Sequence, residues 1–164
     1  MPERRKLKWW EAAEENFAKT KVGGWFAVNV ANPIDKRLLR WSKGKVGLFL
    51  GQPVGLLLHT GAKSGAARET PLLYITEGEL VVIVASNVGS ANNPAWYHNV
   101  KANPDVRFLQ RNGTTDARRA REATSEEYDA LWPKVNDLYG GYETYKERAG
   151  SRHIPIVVLE PVDS

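Results

Sequence analysis

The sequence predicts an α+β chain: a small closed barrel of about six mostly antiparallel strands with helices packed outside it. Strand-like runs at residues 54–59, 67–76, 79–86, 106–111, 114–122 and 154–160 recur through the last two thirds of the 164 residues. The turn signals Glu77-Gly78 and Asn112-Gly113 make connections too short for anything but antiparallel neighbours. The leucines at 56–58 and the run VVIV at 81–84 lack polar–apolar alternation, as strands buried on both faces do.

Taken in order, residues 9–20 place Trp9, Ala13 and Phe17 at i, i+4 and i+8, so a short amphipathic helix is expected, ended by Gly23-Gly24. Residues 25–31 are apolar and expected against the core. Asn32 before Pro33 reads as a helix cap and first turn, with Ile34, Leu38 and Trp41 along one face and Gly44 as the stop. Lys36, Arg37, Arg40 and Lys43 fill the rest of that helix, either as a solvated basic face or as a wall for an acidic ligand. Residues 47–50 read as a weak extra strand. A helical insertion is expected over residues 94–101, bounded by Asn103-Pro104. Thr124-Ser125-Glu126-Glu127 is a capping box that should open a helix running to Leu138, bent at Pro133. Beyond it Tyr139, Tyr142 and Tyr145 recur every third residue and share a helical face, whether as ordinary packing or as an aromatic flap over a planar ligand.

Residues 1–45 form an N-terminal helical arm and residues 46–164 the barrel, one compact domain overall. Composition is that of an ordinary globular protein, with 42% hydrophobic and 26% charged residues. The absence of cysteine excludes disulfides, iron–sulfur clusters and thiol catalysis. The opening lacks a secretion-type apolar core and no eighteen-residue apolar run follows, so a cytoplasmic protein is expected. The net charge of +4 is uneven: residues 1–45 hold 11 Lys/Arg against 5 Asp/Glu, and residues 46–164 hold 12 against 14. That distribution argues against nucleic-acid binding by the domain. It leaves peripheral membrane contact open for the arm, where Trp9 and Trp10 sit among Arg4, Arg5, Lys6 and Lys8.

The chemistry concentrates between residues 56 and 99. A turn carrying Gly61, Lys63, Ser64 and Gly65, with Arg68 just beyond, offers amides, a hydroxyl and cations to an anionic group. After the third strand, the small residues Ala85, Ser86, Gly89, Ser90 and Ala91 leave room beside Trp96 and Tyr97. A flat ligand with an acidic tail suits both; solvated turn charge and a core tryptophan are the plainer reading. Leu58 and Ala62 stand where a P-loop needs glycines, and no G-x-G-x-x-G opens a helix. His59, His98 and His153 are too scattered for a metal site and read as polar or interface residues. With no catalytic constellation of its own, an enzyme of this sequence would leave the hard chemistry to a cofactor.

The segments TGAKSGAAR at 60–68, TPLLY, VVIVASNVG, NNPAWYHNVKANP and IPIVVLEP occur in the order and at the intervals of the deazaflavin-dependent nitroreductase family, which this chain resembles over residues 45–162. The resemblance implies a split β-barrel of the FMN-binding type and binding of coenzyme F-420, whose tail carries a phosphate and glutamates. It implies Lys63, Ser64, Gly65, Ala66 and Arg68 as the tail site, Ala85 and Ser86 as contacts to the deazaflavin, and Ala95, Trp96, Tyr97 and Asn99 as the neighbouring wall. Ala62 and Asn87 replace basic residues of relatives, and Lys36, Arg37 and Arg40 are positioned in sequence to compensate. Hydride transfer to a quinone, enone or nitroaromatic acceptor follows, with Tyr142 or Ser86 orienting the acceptor or supplying the proton and Tyr139 and Tyr145 shaping its pocket. The alternatives are FMN in the same barrel and a non-catalytic deazaflavin carrier, in a monomer or homodimer.

Overall fold

The computed structural model describes residue 20, residues 32–45 and residues 52–162. The helix expected over 9–20 (apart from Thr20), the segment 25–31, the weak strand at 47–50 and the tryptophan-bearing arm lie outside the described residues.

Six strands close a barrel: β1 (Val54–Thr60), β2 (Ala67–Glu77), β3 (Leu80–Val84), β4 (Asp105–Leu109), β5 (Thr115–Glu122) and β6 (Ile156–Pro161). Their order around the barrel is β1-β2-β3-β6-β5-β4, closed by β4 on β1, and every pair is antiparallel. Helix α1 (Asn32–Ser42) lies beside β1 and β2, α2 (Ala95–Ala102) packs on β1 and β5, and α3 (Ser125–Leu138) and α4 (Gly141–Ala149) pack on each other.

The unalternating runs build two cores. Val81 and Ile83 of β3 and Val157 and Leu159 of β6 point into the barrel with Leu57, Phe108, Trp96 and Tyr97. Val82, Val84, Ile156 and Val158 point outward beneath Leu131, Trp132 and Val135 of α3 and Tyr142 and Tyr145 of α4. Each strand is thus sandwiched, and a residue such as Val82 or Ile83 is fully buried whichever way it faces. The capping box forms as expected: Thr124 Oγ1 accepts from the Glu127 amide, Glu127 Oε2 accepts from the Thr124 amide, and Arg121 grips the same carboxylate with both terminal nitrogens. The helix continues past Pro133 to Leu138.

Some boundaries move, for local reasons. Strand β3 stops at Val84 rather than Ser86: the Ala85 amide makes a last in-register bond to the Pro155 carbonyl, Pro155 has no N–H to return one, and Ser86 enters helical geometry (φ −71°, ψ −35°). Strand β6 accordingly begins at Ile156, not 154. The β2–β3 register pairs Glu77 with Leu80, so the tight turn is Gly78-Glu79, with Gly78 at φ +58°. Helix α1 ends where expected, with Gly44 at φ +85° and its amide on the Leu39 carbonyl. Its buried residue is Leu39, however; Ile34 and Trp41 share a face that is 45% and 82% exposed.

Gly55 marks the tightest internal contact of β1: a Cβ there would run into the Phe108 ring and stand 2.9 Å from the Leu109 carbonyl oxygen. Gly55→Ala should therefore cost about 1–3 kcal/mol through overpacking. A urea unfolding midpoint equal to that of the parent protein would contradict this account of the barrel interior.

Candidate functional site

The turn between β1 and β2 is the most exposed part of the barrel rim, and residues 62–68 all face solvent. It is closed by two backbone bonds, Gly61 N–H to the Ala66 carbonyl (2.8 Å) and Gly65 N–H to the Gly61 carbonyl (2.9 Å). Ser64 Oγ accepts from the Ala66 amide at 3.3 Å. Gly65 sits at φ +65° with open space where a side chain would be, so a ligand can approach the backbone there. Among the described residues, no hydrogen bond uses the N–H of Lys63 or Ser64, and no ion pair involves Lys63 or Arg68. Two free amides, a hydroxyl and two uncompensated cations meet at one bend. These donors fit an anionic group such as a phosphate or carboxylate.

The turn is anchored from below by α2. Asn99 Oδ1 accepts from the Ala62 amide at 2.9 Å, which makes Asn99 Nδ2 a donor toward His59 Nδ1 at 3.3 Å. His59 Nδ1 must then be the acceptor, leaving its Nε2–H to donate to Thr70 Oγ1 at 3.0 Å. This arrangement needs a neutral imidazole. Burial, reinforced by the charges of Arg68 and Lys36, lowers the His59 pKa to about 4, so it is neutral at physiological pH. Asn103 adds a bond from Nδ2 to the Thr60 carbonyl at 3.4 Å. His59 is thus a buried polar residue, as the sequence suggested, and its partners fix the turn.

The basic face of α1 reaches the same region. Lys36 and Arg40 flank Glu69 of β2 at 3.6 and 3.5 Å, so two cations share one carboxylate and a net positive charge remains beside the turn. Of Lys36, Arg37 and Arg40, expected to compensate for the missing cation at Ala62, the first and last are thus shared with Glu69.

The second candidate region is the loop from Ala85 to Asn93, which leads into α2. It contains three successive residues at positive φ, Asn87 (46°), Val88 (56°) and Gly89 (76°). Gly89 is pressed against α4, and an added Cβ would lie 2.7 Å from both the Tyr145 carbonyl oxygen and Arg148 Cβ. Arg152 spans the loop: Nε donates to Ser90 O (2.7 Å), Nη2 to Ser86 O (2.7 Å), and Nη1 to Asn93 Oδ1 (2.6 Å) and Ala85 O (3.3 Å). Ser86 is half-buried, and none of the hydrogen bonds among the described residues uses its hydroxyl or its N–H. Asn99 stands one helical turn from the start of α2, about 6 Å along the axis, so a single short helix separates loop from turn.

The remaining expected site residues lie elsewhere. Trp96 and Tyr97, expected as a wall beside the ring, are 6% and 5% exposed inside the barrel, where their flat faces are used in core packing. Asn99 is bonded to the turn through the Ala62 amide. Tyr139, Tyr142 and Tyr145 do come together, with Tyr139 and Tyr142 edge to face at 5.2 Å and the Tyr139 and Tyr145 hydroxyls 2.9 Å apart. Tyr142 and Tyr145 of α4 pack in the outer core with α3, and Tyr139 lies half-buried beside them. Burial, and secondarily Tyr145, hold the Tyr142 phenol well above its ordinary pKa, which weakens it as a proton donor. Nothing in the sequence singles out Arg152: no feature of the spacing between it and Ser86 betrays the contact.

The His59 arrangement carries a pH signature. A histidine held neutral in the folded state at a pKa near 4, against 6.5 in the unfolded chain, contributes stability that is complete above pH 6.5 and is lost as pH falls toward 4. A tenfold difference in proton affinity between the folded and unfolded chain is worth about 1.4 kcal/mol. In His59→Gln the stability measured by urea denaturation should vary less with pH between 6.5 and 4 than in the parent; equal slopes would refute the assignment.

A family model described as F420H(2)-dependent quinone reductase matches residues 34–161. The chain is 41% identical over 128 residues to an F420H(2)-dependent quinone reductase of Mycobacterium tuberculosis, covering 74% of this chain and 84% of that protein. A solved structure of an F420-H2 dependent reductase aligns with a TM-score of 0.60 at 36% identity, covering 66% of this chain and 94% of its own. Another, described as a domain-swapped dimer, aligns with a TM-score of 0.62 at 32% identity over 77% of this chain and 96% of its own.

Proposed function

Because the chain belongs to the F420H(2)-dependent quinone reductase family, we propose that it grips the acidic tail of coenzyme F-420 at the β1–β2 turn and presents the ring to a quinone-type acceptor beside Ser86. The chain is an oxidoreductase of the split-barrel type that uses reduced F-420, and nothing in the relatives' descriptions favours FMN. The observation that carries the tail site is the bend at residues 61–68, where the Lys63 and Ser64 amides and the Lys63 and Arg68 cations all lack partners among the described residues. When bound, the reduced deazaflavin supplies a hydride from its C5 carbon to the acceptor.

The protein's own contribution is placement. Lys63, Ser64, Gly65, Ala66 and Arg68 hold the tail; Asn99, through the Ala62 amide, keeps their bend in shape. Ala85 and Ser86 offer backbone to the ring, and the free Ser86 hydroxyl and N–H can orient an acceptor oxygen while water delivers the proton. Tyr142 is the second choice for that role, since its phenol is buried and its acidity reduced. Ala95 opens the helix that fixes the distance between tail and ring, and Trp96 and Tyr97 support it from inside the barrel. Enones and nitroaromatic compounds belong with quinones as electron-poor acceptors of the same chemistry. Among the described residues no helix is long and apolar enough to cross a membrane. The aligned domain-swapped dimer makes a homodimer the assembly to test first.

Mixing the protein with reduced F-420 and a soluble naphthoquinone should restore the absorbance of oxidised deazaflavin in an acceptor-dependent way; coenzyme binding without turnover would reduce the protein to a carrier. Replacing Lys63 and Arg68 together by alanine should raise the coenzyme Kd at least about tenfold at low ionic strength, with the gap narrowing toward 1 M salt. An unchanged titration of tryptophan fluorescence would contradict the tail site. Ser86→Ala should lower kcat about tenfold, the worth of one oriented hydrogen bond of about 1.4 kcal/mol, while Tyr142→Phe changes kcat less than twofold.

A further inference from the structure

The guanidinium of Arg152 makes four hydrogen bonds to one loop and takes part in no ion pair among the described residues. A half-buried cation without a carboxylate is unusual, since an ion pair would ordinarily offset its loss of hydration. Its acceptors instead bracket both ends of the loop: Ala85 and Ser86 on the side of β3, Ser90 and Asn93 on the side of α2. The Asn87 side chain ties inside the same span, from Nδ2 to the Asn92 carbonyl at 2.8 Å.

The clamp opposes backbone strain. Val88 is β-branched, yet it stands at φ 56° and ψ 23°, a conformation that costs such a residue on the order of 1–3 kcal/mol. Its side chain packs at the margin of the outer core, which helps to hold it there. Without cross-loop bonds, a chain with three consecutive left-handed residues would relax toward ordinary geometry.

The clamp also sets direction. In a planar trans peptide the N–H points away from the C=O. Because Nη1 of Arg152 holds the Ala85 carbonyl, the Ser86 N–H of that same peptide faces the opposite way. Because Nη2, together with the Gly89 amide (3.0 Å), holds the Ser86 carbonyl, the Asn87 N–H does likewise. Neither N–H is used by any hydrogen bond among the described residues. We propose that Arg152 is a positioning residue for the reaction: by binding the carbonyls of Ala85 and Ser86 and the far end of their loop, it aims the unpaired Ser86 and Asn87 amides at an oxygen of the bound ring or of the acceptor. This rests on the ring site proposed above. The shared chemistry is a carbonyl oxygen that gains negative charge, whether on the reduced deazaflavin or on the quinone.

The test separates the clamp from the ring site. Arg152→Lys keeps the charge and removes the fork; Asn93→Ala keeps the fork and removes one acceptor. In the coenzyme-free proteins, hydrogen exchange of the bonded Gly89 and Ser90 amides should accelerate at least tenfold in Arg152→Lys and by less in Asn93→Ala, with exchange in β1 and β6 unchanged. With coenzyme and naphthoquinone, Arg152→Lys should either raise the coenzyme KM or lower kcat about 10–100-fold, while the salt-dependent part of coenzyme affinity, set at Lys63 and Arg68, stays as in the parent. A loss confined to the Kd or KM for coenzyme assigns the oxygen to the ring, and one confined to kcat and the quinone KM assigns it to the acceptor; either outcome supports the proposal. Adding Val88→Gly to Arg152→Lys removes the strained residue and should recover part of kcat, which a loss of general stability would not. Unaltered exchange at Gly89 and Ser90, or accelerated exchange with parental kcat and KM, overturns the proposal. A parent protein that shows no oxidation of reduced F-420 sinks the ring site instead, and the exchange experiment still decides whether Arg152 holds the loop.

Discussion

Asn99 joins three parts of the molecule that have no covalent reason to stay together. Its oxygen receives the Ala62 amide from the rim turn, its nitrogen donates to His59 inside β1, and its backbone belongs to α2, whose Trp96 and Tyr97 fill the barrel. Both ends of the amide are committed, so its orientation is fixed, and so are the histidine tautomer and the bond to Thr70. The outward-facing donors of residues 61–68 depend on that inward-facing chain. A rim turn resting only on its own two backbone bonds would fluctuate as loop tips usually do.

The distribution of charge follows the same division between structural and available groups. Arg121 is used up by Glu127 and Glu160, and buried Arg118 by Asp116 and the carbonyls of Glu79 and Leu159. Lys36 and Arg40 compete for Glu69. Lys63 and Arg68 have no such partners among the described residues, and Arg152 faces only neutral oxygens. Among the described residues, the rim turn and the neighbouring loop thus each carry cations not neutralised by a carboxylate.

Local patterns in the sequence were enough for the barrel. Runs such as VVIV, the turn glycine Gly78 and the Thr124 capping box act through neighbours a few residues away, and each formed as expected. Strand ends were less legible: Ser86 carries no mark that the strand has already stopped, because the deciding partner, Pro155, lies some seventy residues on. In the candidate site, the turn chemistry of Lys63 and Ser64 could be read directly, while the parts set by tertiary contact could not. Trp96 and Tyr97 have the composition of a ligand wall and are core only because α2 is turned inward. Tyr142 and Tyr145 share their spacing with Tyr139, but that two of them are buried against α3 while Tyr139 stays half-exposed is set by packing. Arg152 is invisible for the complementary reason, since its role consists wholly of bonds to residues about sixty positions away.

The filled interior has a consequence for how the coenzyme is used. With Phe108, Trp96, Tyr97, Leu57 and Ile83 occupying the lumen, the site we propose for the coenzyme lies on the outside of the rim, held at its charged end. A ligand held that way can leave without the barrel opening. On that proposal the coenzyme is exchanged at the rim rather than enclosed by the fold.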